Sequence, residues 1–174
     1  MGIEEKVLNK SVPSLHRYLF ISPTTLSMQP LTDFKQLVHA MGDAVVASDA
    51  SGAITLWNPA AERMFGHAET EALGKTLDII TPERLRKRHW DGYYKTMQTG
   101  ITRYGNDVLR VPAIHKDGHA LSIAFTVALL HSADGSVSNI VAVIRDETTR
   151  FNEERALRKQ LTDLEGQIAR PGIG

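Results

Sequence analysis

Apolar residues first become periodic at Leu31. Leu31, Phe34, Leu37, Val38 and Met41 share one helical stripe, with Thr32 and Asp33 as the capping signal and Gly42 as the stop. The pattern then changes to short apolar runs divided by turns. Ala44–Ser48 and Ala53–Trp57 flank Ser51-Gly52, a hairpin signature. Val108–Ile114 and Ala120–Leu130 flank Lys116-Asp117-Gly118, and Asp134-Gly135 leads on to Asn139–Arg145. These five runs predict antiparallel strands. A helical insert separates the second from the third. Asn58 caps a helix that has Pro59 in its first position, carries Ala60, Ala61, Met64 and Phe65, and stops at Gly66. Short segments follow over Glu69–Leu73 and Leu77–Ile80. Thr81-Pro82-Glu83 then opens a longer helix to about Thr99, closed by Gly100. The order strand–strand–helices–strand–strand–strand predicts an α+β domain with helices crossing one sheet face.

Both ends read differently. Residues 1–30 form an arm interrupted by Pro13, Pro23 and Pro30, in which Val12–Phe20 can make a helical turn that packs through Leu15, Tyr18, Leu19 and Phe20. Thr148–Arg170 is rich in charge and helix formers. Leu157, Leu161, Leu164 and Ile168 recur at 4, 3, 4 spacing, a coiled-coil seam. That regularity favours a helix that leaves the domain to pair with its twin over one that folds back on the sheet. The expected organisation is an N-terminal helical arm over 1–30, a core over 31–148, and a C-terminal coiled-coil helix and tail over 149–174.

Composition narrows the chemistry. The chain has 174 residues, 20 Lys+Arg against 20 Asp+Glu, 42% apolar residues and no cysteine. Balanced charge offers no footprint for nucleic acid, and the run Ile140–Ile144 is too short to cross a bilayer. The first residues carry no signal-peptide pattern. Zero cysteine removes disulfides, thiolate nucleophiles and cysteinyl photo-adducts, and is compatible with a reducing cytoplasm. Neither a phosphate loop, a nucleophile elbow nor a kinase motif is present, so an enzyme is not expected. The span after residue 148 is too short for an output domain, so the expected role is a sensor that acts on a downstream partner or belongs to a longer chain.

The stretch Gly52-Ala53-Ile54-Thr55-Leu56-Trp57-Asn58-Pro59-Ala60-Ala61-Glu62-Arg63-Met64-Phe65-Gly66, followed by Lys116-Asp117-Gly118 and Asp146-Glu147-Thr148, closely resembles PAS sensor domains from about Leu31 to Thr148. The resemblance implies a five-stranded antiparallel sheet with a ligand cleft between its inner face and the insert helices. It also implies that Asp146 and Thr148 couple the last strand to the exit helix. A short carboxylate there can equally be an ordinary cap.

Seven histidines are spread along the chain. His115 and His119 bracket the Lys-Asp-Gly turn, but no third ligand of suitable spacing is evident, which argues against a metal there. His89 lies in the long insert helix, with Leu85, Gly92, Tyr93 and Thr96 on or near one face. A helix-interior glycine suggests close approach, either of a flat ligand or of the sheet. A neutral imidazole in an apolar cleft suits haem iron. The segment from Arg88-His89 to Lys116-Asp117-Gly118 resembles haem-PAS oxygen sensors of the FixL type. That resemblance implies haem b with His89 as the proximal ligand, and Phe125 and Val127 as apolar distal side chains. Leu109 stands where those sensors place a distal arginine, so a donor to bound oxygen is missing and carbon monoxide or nitric oxide is comparably suited. Adjacent Arg110 is expected to point to the opposite side of the strand. Lys95 and Arg103 fall near positions that meet the propionates, or are solvated surface charge. The competing expectation is a homodimeric relay module with another small ligand, flavin or a metabolite, or with none.

Overall fold

A computed structural model of the chain describes residues 32–102 and 107–168, the side chains of 167 and 168 excepted. The N-terminal arm, Leu31 and Arg103 lie outside the described residues. In order come α1 (Phe34–Ala40), β1 (Ala44–Asp49), β2 (Ile54–Trp57), α2 (Pro59–Phe65), α3 (Glu69–Ala72), a 3-10 turn (Leu77–Ile79), α4 (Glu83–Thr99), β3 (Leu109–Ile114), β4 (Ala120–His131), β5 (Val137–Asp146) and α5 (Thr148–Ile168). The five strands form one antiparallel sheet in the order β2-β1-β5-β4-β3. The last strand therefore pairs with the first in the centre. β3 is an edge strand, which accommodates Pro112 and its missing donor.

Register determines what the inner face presents. Leu109 pairs with Phe125, Phe125 with Ile144, and Ile144 with Ala44, so these four form one row across four strands. Val127, Ala142, Val46 and Trp57 form the next, and Leu129, Ile140 and Ser48 the one after. The helices close the β1–β2 end of this face. Trp57 and Phe65 are fully buried with ring centroids 5.4 Å apart, alongside Ala60, Ala61 and Ile54. Each such ring contributes about 2–3 kcal/mol of burial.

Asn58 does more than cap α2. Its Oδ1 accepts from Val45 N at 2.9 Å and Ala61 N at 3.0 Å, and its Nδ2 donates to Val38 O at 3.0 Å and Asp43 O at 3.1 Å. One buried amide thus satisfies every polar position it has while joining α1, β1 and α2.

α1 begins at its cap Asp33, whose carboxylate accepts from Lys35 N and Gln36 N. Its apolar stripe packs less than the pattern suggests: Phe34 is 72% and Leu37 52% exposed. α5 follows the predicted span, with Leu157, Leu161 and Leu164 also more than half exposed. Among the described residues, no helix is long and apolar enough to cross a membrane.

Candidate functional site

α4 is held beside β1 and its flanking turns by aromatic and polar contacts from Tyr93 and Trp90. Tyr93 is buried; its hydroxyl donates to the Asp49 carbonyl at 2.6 Å and lies 2.8 Å from Ser48 Oγ on the inner face of β1. Trp90 Nε1 donates to Asp78 Oδ1 at 2.8 Å, and its ring covers Gly52, where a Cβ would fall 2.3 Å from the ring. Gly52 also has φ +84°, so the β1–β2 turn requires glycine twice over.

His89 precedes Tyr93 by one turn and shares its sheet-facing side. The two ring centroids are 5.9 Å apart, and the Trp90 ring lies 4.9 Å from the imidazole, centroid to centroid, in a T-shaped arrangement. The Nδ1 of His89 is buried without a hydrogen-bond partner. Burial holds its pKa below the ordinary value, and the Asp78 carboxylate opposes this more weakly. The ring is therefore neutral near pH 7. Gly92, by contrast, faces open space: a Cβ there would meet nothing within 4 Å, so close helix–sheet packing is not its reason.

The inner face of the sheet carries an apolar strip. Leu109 and Phe125 are direct cross-strand partners, and Val127 lies two residues along on the same face. With Val111, Leu129, Ile140 and Ala142 these side chains stay half-buried, although they lie on the helix-covered side of the sheet. An apolar strip is thus left without full cover. Arg110 turns the other way, its Nε 3.0 Å from Glu147 Oε2. Lys95 is exposed and lies about a third of a turn away from His89 around α4, so it is not brought to the histidine.

Where β5 becomes α5, Asp146 Oδ1 accepts from Thr148 N at 2.8 Å and from Thr148 Oγ1 at 2.5 Å. Thr148 Oγ1 in turn accepts from Ser122 N at 2.9 Å, and Glu147 N donates to Ser122 O at 2.8 Å. The start of α5 is therefore stitched to β4 as well as continuous with β5. Glu147 also pairs with Arg150.

The β3–β4 turn brings together more than the spacing of His115 and His119 suggests. His115 and His119 stack with centroids 4.4 Å apart, and both Nδ1 atoms approach Asp117 Oδ1, at 2.9 and 2.6 Å. The aspartate of the turn thus brings a third candidate ligand atom beside the two imidazoles. The signal was present as His-x-Asp-x-His.

The model of the family described as PAS fold matches residues 32–146. Sensor protein FixL of Bradyrhizobium diazoefficiens is 28% identical over 138 residues, 79% of this chain and 26% of FixL. Oxygen sensor protein DosP of Escherichia coli is 25% identical over 140 residues, 80% of this chain and 17% of DosP. The chain thus spans about a quarter or less of these relatives. In fold it is similar to an RNA-binding light-oxygen-voltage receptor, with a TM-score of 0.61 at 19% identity over 80% of this chain and 40% of that one. Matched over two thirds of its length, and with the sheet order and helical insert described above, the chain belongs to the PAS family.

Proposed function

We propose that this PAS domain is a sensor that holds haem b through His89 and reports a diatomic gas or redox state to a partner through α5. The observation that carries this reading is the neutral imidazole of His89, with a buried and unspent Nδ1, on the sheet-facing side of α4. A ring nitrogen with no other partner is what an iron ligand requires. When bound, haem supplies an iron with an open position for a gas or for a change of oxidation state. Leu109, Phe125 and Val127 would wall that position with hydrocarbon and exclude water, and Lys95 and Arg103 are the cations proposed for the propionates. None of the three wall residues donates a hydrogen bond, which favours carbon monoxide or nitric oxide as much as oxygen. The likeness to proteins named as sensors supports the general role.

The signal would leave through Asp146 and Thr148, because any shift of β4 at Ser122 or of β5 at Asp146 reaches the first turn of α5. α5 would carry it to a homodimer partner along Leu157, Leu161, Leu164 and Ile168, and on to a downstream signalling protein. A cytoplasmic location without catalytic activity completes the proposal, in keeping with a cysteine-free chain. The exposed α5 seam also favours a second reading, a dimerising relay module with flavin, a metabolite or nothing on the inner face.

Absorption after expression with haem and flavin precursors separates the two. A Soret band at one haem per chain supports the first. A flavin spectrum, or none, removes it.

A further inference from the structure

We propose that the β3–β4 turn is a divalent transition-metal site, with His115, Asp117 and His119 as ligands to an ion of the zinc or nickel class. The turn builds the set locally. His115 N donates to His119 O at 3.0 Å, Gly118 N donates to His115 O at 2.9 Å, and Gly118 has φ +94°. This is the three-residue hairpin loop with its glycine in the left-handed region, and it places His115 and His119 side by side on one face. Asp117 sits between them in sequence and folds back, its Oδ1 accepting from His119 N at 3.1 Å. One ligand atom from each of the three lies within 4.8 Å of the others.

Two imidazole nitrogens converge on one carboxylate oxygen. An ion held by all three at about 2.0–2.2 Å in tetrahedral geometry keeps its ligand atoms about 3.3–3.6 Å apart, so the 2.9 and 2.6 Å contacts open as it enters, and the Asp117 N–H that reaches His115 Nδ1 at 3.2 Å gives way to it. The His115 ring is fixed from behind. Its Nε2 lies where a Cβ on Gly66 would fall, at 2.4 Å, so the ring is seated on the end of α2 with Nδ1 turned to Asp117. The neighbouring cation is drawn aside, since Lys116 Nζ binds both carboxylate oxygens of Glu71 at 2.6 Å. The side chains of Asp117 and His119 are more than half exposed, so an ion has a direct path in. Two histidines and one carboxylate leave further positions for water or a partner's ligand. The site is distinct from His89, which lies on α4.

Zn2+ alone, titrated into the full chain against a competing chelator, tests this, with imidazole nitrogen shifts read by NMR. The expected result is one ion per chain, with the His115 and His119 signals moving together. His119→Gln and Asp117→Asn, both on the exposed side of the turn, should each weaken binding at least about tenfold. His67→Gln should leave it unchanged. Wild-type affinity in His119→Gln, a shift confined to His89 or other histidines, or no binding below about 1 mM would overturn the proposal.

Discussion

At His89 the cost of burying a titratable ring sets a measurable consequence. Its folded pKa lies below the ordinary imidazole value because burial disfavours the charged form. The unfolded chain therefore binds its proton at higher pH than the folded one. Stability is full above about pH 6.5 and falls as the pH drops from there toward the lower folded value. Denaturant titrations across that window should show a slope that His89→Gln flattens, and an unchanged slope would deny that the ring is buried neutral. Gly52 is a second residue whose role is geometric. Gly52→Ala must both hold φ +84° and displace the Trp90 ring, so a loss of about 2–3 kcal/mol is expected, with a shift in tryptophan emission. Asn58→Ala strands two carbonyls and two N–H groups, and should cost about 3 kcal/mol or more in the same assay.

At the scale of elements, the β5–α5 junction makes the sharpest prediction. Thr148→Val keeps the shape but removes the acceptor for Ser122 N and the donor to Asp146. Hydrogen exchange should speed at Ser122 and the first turn of α5 and stay unchanged at the β1–β2 hairpin; uniform protection would show that the stitch carries no coupling. The elements themselves were readable because their signals are local. Asn58-Pro59, Gly66 and Gly100 cap helices with backbone geometry that only a few residue types supply. The two-residue spacing of Phe125 and Val127 puts both on one face, whereas only register shows that Leu109 joins them, as the cross-strand partner of Phe125. What escaped depends on contacts between distant segments or on turn geometry. Gly92 drew notice as a helix-interior glycine, yet the close approach occurs at Gly52, which meets Trp90 from another element. Asp117 is legible in the sequence only as a turn residue, because regular ligand spacing follows helices and strands, whereas this turn folds the aspartate back between its neighbours. The stripe of α1 looked like a core face, but the sheet already has its helices, and Phe34 and Leu37 are left exposed.

For the whole molecule, the sensor reading joins a ligand wall on the inner face to a helix whose apolar seam has no cover among the described residues. The seam is proposed to pair two chains, so cutting the chain after Glu147 should convert a dimer to a monomer by sedimentation velocity; an unchanged dimer would move the interface elsewhere. Everything upstream of that helix rests on whether His89 binds iron. The most direct measurement is the haem absorption spectrum of the full chain, of His89→Ala, and of His89→Ala with free imidazole added. The result expected of iron on His89 is a Soret band in the wild type, its loss or marked shift in His89→Ala, and its restoration by imidazole. A band that is identical in wild type and His89→Ala, or absent from both, contradicts it.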